Sequence, residues 1–224
     1  MKPLSIFLIR HGESVGNVDK TVYSHTPDWK VPLTERGIQQ AREAGEKLAL
    51  LIQQDYNHRG NNAFAYYTSS WYRARQTAFH LRESLETLYP MYKSTAIMRE
   101  DPRIREQEWG NFQEVHLQKK IREERDRYGS FFFRMPHGES GADVFDRVTT
   151  FIDTLYRDFE KDDFPSNAII VSHGLAIKAF VMRWMKWSVE DFEKYGTPDN
   201  CSITQLSLQK DNRFKLMTDF KIKE

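Results

Sequence analysis

The chain has 224 residues, 39% hydrophobic and 13% aromatic, enough to bury one substantial core and short for two, so a single domain over residues 1–224 is expected. Its 33 Lys and Arg against 32 Asp and Glu leave a formal charge of +1, which favours neither nucleic acid nor a membrane surface over a small-molecule partner. The single cysteine, Cys201, excludes an internal disulfide, and the apolar stretch at residues 4–9 is cut by Arg10, His11 and Glu13 well short of a membrane span, so a cytoplasmic address is expected.

In chain order, SIFLIR at residues 5–10 is short and apolar and ends in a Gly-containing turn, as a buried strand does. Residues 34–54 form a helical segment with Thr34 as its N-cap, and AFAYYTSS, ending at Ser69 or Ser70, is a second strand. A helix is predicted over 71–88 and another over 140–160, followed by the most strand-like run, NAIIVSHG. Strand followed by helix, repeated, predicts an α/β fold: a mostly parallel sheet covered on both faces, a three-layer α/β/α arrangement. The tail runs SITQLSLQ and RFKLMTDF, separated by Lys210-Asp211-Asn212, are able to pair as an edge hairpin.

Segment 111–135 breaks this pattern, being rich in charge and then aromatic at Phe131, Phe132 and Phe133. It is expected to be a helical excursion inserted over one end of the sheet. Two readings stand: a solvated helix with an aromatic anchor in the core, and a lid over the substrate.

Ligands of open α/β sheets bind beyond the carboxyl ends of the strands. The strand ends here deliver Arg10-His11-Gly12, Ser69 with nearby Arg73, and His173-Gly174. Two imidazoles and two guanidiniums at one rim suit phosphate, because guanidinium forks bind its oxygens and a neutral imidazole is a nucleophile.

Arg10-His11-Gly12-Glu13-Ser14 with Asn17 resembles the signature of the histidine phosphatase superfamily, which includes the phosphoglycerate mutases and many small phosphatases. The resemblance continues in order. It takes in Leu33-Thr34-x-x-Gly37-x-x-Gln40-Ala41, Ser69-x-x-x-Arg73-Ala74-x-Gln76-Thr77-Ala78, Arg105-Glu106 with Gly110, Gly138-Glu139-Ser140 with Arg147, and Val171-Ser172-His173-Gly174.

That resemblance implies a phosphoglycerate mutase-like fold and a reaction that needs no metal or other cofactor. His11 would be the nucleophile, with Arg10, Arg73 and His173 around the phosphoryl oxygens and Glu106 as proton donor to the leaving group. Asn17, Ser14 and Gly174 complete the implied phosphate-binding set. Glu100, Asp101, Glu108 and Glu114 are near enough in sequence to compete with Glu106 for the acid role. The partner implied is a small phosphorylated substrate, and a homodimer remains open.

His137-Gly138-Glu139-Ser140 repeats the letters of residues 11–14, but it follows Pro136 with no strand before it, so His137 is expected at the pocket mouth at most. His25, His58, His80 and His116 have no such placement. A metal-dependent hydrolase is disfavoured by the absence of His-Glu-x-x-His or His-x-His spacing, and a Walker-type nucleotide hydrolase by the absence of its Gly-rich loop.

Phosphotransfer between phosphoglycerates and a catalytically silent binding role are the remaining alternatives. Against the mutase, Gly16 stands where the mutases usually carry Trp, and EQEWGNFQ around Glu106 is unlike the mutases' tyrosine-bearing loop. Ser70 and Trp71 stand where many members carry Pro and Leu. Trp109, Phe112 and Phe131 to Phe133 suit either a wall for an apolar or aromatic leaving group or ordinary core packing.

Overall fold

The computed structural model describes residues 2–59, 64–88, 90, 98–110 and 115–223. Six strands form one sheet: β1 (Ser5–Arg10), β2 (Phe64–Thr68), β3 (Arg99–Glu100), β4 (Asn167–Ser172), β5 (Ile203–Leu208) and β6 (Phe214–Leu216), in the order β3-β2-β4-β1-β5-β6. The first four pair in parallel, β5 runs antiparallel to β1, and β6 antiparallel to β5. The tail hairpin therefore forms as expected, with β6 alone at the edge.

Alternation along the strands builds the layers. Ile6, Leu8 and Ile170 point into one apolar core with α5 (Gly141–Phe159) and α6 (Gly174–Met185). Phe7, Ile9, Ile169 and Val171 point into the other, against α2 (Glu35–Arg59) and α3 (Tyr72–Leu88). The helix starts follow local chemistry: the Thr34 hydroxyl accepts from Gly37 N–H at 3.0 Å, and Ser140 with Asp143 forms a capping box.

The short helices α1 (Val15–Val18) and α7 (Val189–Lys194) and the helix α6 carry no amphipathic signal of their own. In α6 the reason is burial: every residue from Gly174 to Met182 is buried, so no polar face marks its period. Strand β3 is two charged residues long, and only its neighbour β2 makes it a strand. Of the expected excursion, residues 111–114 lie outside the described residues, and α4 (Val115–Tyr128) is helical as read. Phe131 anchors its end in the core at edge-on contact with Phe145 and Phe192, whereas Phe132 is exposed. Among the described residues no helix is long and apolar enough to cross a membrane.

The β1–β4 register is what positions the site. Arg10 pairs with Ser172, so His11 and His173 emerge side by side one residue later. The loop after β1 is then pressed against the start of α2. A Cβ on Gly37 would stand 2.0 Å from the Glu13 carbonyl oxygen, and one on Gly12 2.4 Å from the Gly37 oxygen. The atoms met are backbone and cannot swing aside. Gly37→Ala is therefore expected to destabilise the protein by about 1–3 kcal/mol, measured as a lowered urea midpoint, by pushing the β1 loop away from α2.

Candidate active site

His11 is 3% exposed and held at both ring nitrogens. Its Nδ1–H donates to the Gly12 carbonyl at 2.7 Å, which fixes the tautomer and leaves a lone pair on Nε2. That lone pair accepts from Arg73 Nε–H at 3.2 Å. Burial first, then the Arg73 and Arg10 charges, hold the imidazole well below the usual histidine range, so it is neutral at physiological pH. The backbone is fixed just as firmly, with His11 N–H on Ser172 O at 2.9 Å, Gly12 N–H on Thr77 Oγ1 at 3.0 Å, and Asn200 Nδ2 on His11 O at 2.8 Å.

Arg73 reaches this point from the first turn of α3. Its NH1 donates to the Asp28 carbonyl at 2.8 Å and carboxylate at 2.9 Å, and its guanidinium lies 4.6 Å over the Trp71 ring. Burial pushes the Asp28 carboxyl up while the Arg73 charge pulls it back. Arg10 donates from NH1 to Pro198 O at 2.7 Å, and burial holds its guanidinium below its usual value.

His173 is packed 5.0 Å from the His11 ring and 5.2 Å from Trp71, with Nε2 in a 2.8 Å hydrogen bond to Ser69 Oγ. It is fully buried, and burial, then Arg73 and His11, depress its pKa well below the usual value. His173 and Gly174 are not among the residues that wall the cavity in front of His11, and the His173 Nδ1 is buried without a hydrogen-bond partner among the described residues. Gly174 opens α6, whose N-terminus has no side-chain cap and points its free N–H groups toward this rim.

A cavity of about 260 Å³ lies in front of His11, walled by Arg10, Arg73, Ser14, Asn17, Glu106 and Arg122 among others. The Asn17 oxygen already accepts from Ser14 N–H at 2.9 Å and Ser14 Oγ at 3.1 Å, so Asn17 can offer the cavity only its amide donor. Ser14 itself caps α1 and is 1% exposed. In place of a bulky residue at 16, the Tyr23 hydroxyl fills the space that a Gly16 side chain would need, 2.2 Å from its Cβ position. A wider cleft of about 920 Å³ along α3 carries neither His11 nor either of its arginines.

Glu106 enters from a loop between β3 and α4. A turn of 3-10 helix at Pro102–Ile104 precedes it, and the Ser172 hydroxyl donates to Ile104 O at 2.7 Å. Arg147, on α5, then uses all five of its N–H donors, three of them on this loop. Three bonds go to the Arg103, Arg105 and Glu106 carbonyls at 2.6, 2.8 and 3.0 Å, and two to the Glu139 carboxylate at 2.9 Å each. Glu139 in turn accepts from Arg105 at 2.6 Å and Glu108 N–H at 3.0 Å. The pair Glu139–Arg147 is a rigid clamp on the segment that carries Glu106.

Of the competing acids, Glu108 shares the cavity but pairs with Arg105 at 3.5 Å, Glu100 pairs with Arg75 outside it, and Asp101 pairs with Arg103. Glu114 lies outside the described residues. His137 does not line the cavity; it sits in a turn at φ 58°. Nor do Phe131 to Phe133, whereas Trp109 does; Phe112 is outside the described residues. Asp28, Trp71, Tyr23, Arg122 and Asn200 carry no motif that would have marked them. Among the described residues no group of three or more His, Cys, Asp and Glu side chains is placed to hold a metal ion.

Two buried neutral histidines leave a thermodynamic signature. Their folded pKa values lie below the unfolded value near 6.5, so as pH falls the unfolded chain takes up protons that the native site refuses. Stability present above pH 6.5 is lost below it, by at most about 1.4 kcal/mol per pH unit for each histidine. Urea unfolding between pH 7.5 and 5 should show this slope, and His11→Asn with His173→Asn should flatten it.

Residues 6–219 match the profile of the histidine phosphatase superfamily (branch 1). The phosphoglycerate mutase-like protein AT74H of Arabidopsis thaliana is 42% identical over 93% of this chain and 75% of its own length. The broad-range acid phosphatase DET1 of Saccharomyces cerevisiae is 28% identical over 97% of this chain and 89% of its own. Among solved structures, a mycobacterial glucosyl-3-phosphoglycerate phosphatase in complex with VO3 superposes with a TM-score of 0.69 at 25% identity, covering 95% of this chain and 96% of that one. With its motifs folded onto one sheet rim and its sequence matched nearly end to end, this chain belongs to the histidine phosphatase superfamily.

Proposed function

We propose that this protein is a phosphomonoesterase that works through a phosphohistidine on His11, needs no metal, and acts on a small phosphorylated metabolite. The observation that carries the reading is the His11 ring itself: Nδ1 tied to Gly12 O, Nε2 unprotonated, and a guanidinium on that same nitrogen. When the phosphoryl group enters, Arg73 exchanges its bond to Nε2 for one to a phosphoryl oxygen. The lone pair is then free to attack phosphorus in line.

In the first step the N–P bond forms as the ester P–O bond breaks, and the Glu106 carboxyl gives its proton to the departing oxygen. In the second, Glu106 takes a proton from water, whose oxygen attacks phosphorus and displaces the Nε2 of His11. Arg10, Arg73, His173 and the Asn17 amide stabilise the equatorial oxygens in both steps, and the N-terminus of α6, which opens at Gly174, adds its dipole. AT74H carries a phosphoglycerate mutase-like name, whereas DET1, named a broad-range acid phosphatase and matched over 97% of this chain, supports hydrolysis. The departures at Gly16 and around Glu106 point the same way.

His11→Ala should lower kcat by ~1,000-fold or more, as loss of a nucleophile does. Glu106→Gln should slow glycerol phosphate at least tenfold more than p-nitrophenyl phosphate, because only the poorer leaving group needs the proton. Equal losses on both esters, or the same pattern in Glu108→Gln alone, would move the acid elsewhere.

A further inference from the structure

Ser69 follows β2 and opens the motif that carries Arg73, yet the two steps above give it no task. β2 and β4 pair in parallel with Thr68 opposite Val171, and Ser69 N–H donates to the Val171 carbonyl at 2.9 Å, so Ser69 and His173 leave the sheet at one rim. Both are 0% exposed, and Ser69 Oγ lies 2.8 Å from His173 Nε2. The other ring nitrogen, Nδ1, is buried with no hydrogen-bond partner among the described residues. His173 is the N-cap of α6 by position only, since its side chain bonds none of the free N–H groups there.

Counting protons decides which nitrogen carries the hydrogen. The ring is neutral, because burial holds its pKa well below the usual histidine value. The serine hydroxyl has one proton and two lone pairs, and Trp71 N–H takes one lone pair at 3.2 Å. If the hydroxyl donates to Nε2, Ser69 and Nε2 are both satisfied, and Nδ1–H is the single orphan. If Nε2–H donates instead, the Ser69 proton has no acceptor among the described residues and the Nδ1 lone pair is stranded as well. One extra buried orphan disfavours that second arrangement by roughly tenfold to a hundredfold in population.

We propose that Ser69 is a positioning residue: oriented by Trp71 N–H, its hydroxyl donates to His173 Nε2, fixes the imidazole proton on Nδ1 and so presents His173 to the phosphoryl group as a neutral donor. The inference rests on the phosphatase reading above for its ligand, but not for the placement of the proton. A phosphoryl oxygen only accepts, so it supplies the partner that Nδ1–H lacks, whereas a lone pair at that nitrogen would repel it. The two rings, 5.0 Å apart, then carry protons on the same atom for opposite ends. At His11, Nδ1–H is engaged by Gly12 O and Nε2 is left to attack; at His173, Nε2 is engaged by Ser69 and Nδ1–H is left to donate.

The test reads the proton directly. With the full chain labelled with nitrogen-15 in its histidine rings, long-range proton–nitrogen spectra should show a pyrrole-type Nδ1 and a pyridine-type Nε2 for His173, assigned by the signals lost in His173→Asn. Inorganic vanadate should move the Nδ1–H proton downfield as it gains an acceptor. Ser69→Ala should give a mixed or reversed tautomer and lower kcat on p-nitrophenyl phosphate by about tenfold or more. Ser69→Thr, which keeps the hydroxyl, should retain the tautomer and most of the rate. In a His173→Asn background Ser69→Ala should slow turnover little further, because its effect runs through the missing ring. A wild-type proton on Nε2, an unchanged tautomer in Ser69→Ala, an equal loss in the His173→Asn background, or an Nδ1–H proton unmoved by vanadate would overturn the assignment. Failure of wild type to hydrolyse p-nitrophenyl phosphate would overturn the phosphatase reading and the donor role with it, while the tautomer of the free protein would still decide the part played by Ser69.

Discussion

Everything at this site depends on a cation hydrogen-bonded to a neutral imidazole. Arg73 Nε–H on His11 Nε2 is compatible only with a ring that carries its proton on Nδ1, and the Gly12 carbonyl secures that proton. The positive charge that adds to burial in keeping the ring unprotonated is the charge a phosphoryl group would seek. Holding a guanidinium in such a place requires its own counterweight, and Asp28 with the face of Trp71 supplies it. The sheet does the rest, since the β1–β4 register places His173 against His11, the two rings 5.0 Å apart.

The second half of the site is built differently. His11 and Arg10 ride on a central strand, whereas Glu106 sits on a loop that would be free to wander without support. Arg147 and Glu139 remove that freedom by consuming the loop's carbonyls and one of its N–H groups within the wall of α5. Both side chains are nearly buried, at 12% and 15% exposure, so their hydrogen bonds are shielded from water and act as structure. His11 and Glu106, the proposed nucleophile and acid, thus belong to two rigid bodies, the sheet rim and the α5 clamp, joined where Ser172 meets Ile104.

The strands, the long helices and the family motifs were legible because each is a local pattern: alternation, a cap, or a polar residue directly after an apolar run. His11, His173, Arg10 and Arg73 all belong to that class. What escaped reading is what depends on contacts distant in sequence. Asn200 holds the His11 carbonyl from 189 residues away, and Asp28 reaches Arg73 from a short 3-10 turn with no periodicity of its own. His137 shows the converse: its four letters repeat those at His11, yet without a strand before them they form a turn off the cavity.

A neutral His11 whose Nε2 becomes phosphorylated during turnover is tested most directly by trapping that adduct. Wild type mixed with p-nitrophenyl phosphate in EDTA and quenched in base should yield one phosphoryl group per chain, stable to alkali and labile to acid, on the Nε2 of His11 by phosphorus NMR and peptide mapping. His11→Gln should carry none. A phosphoryl group on Nδ1, on any other side chain, or absent while phosphate is being released would contradict the account.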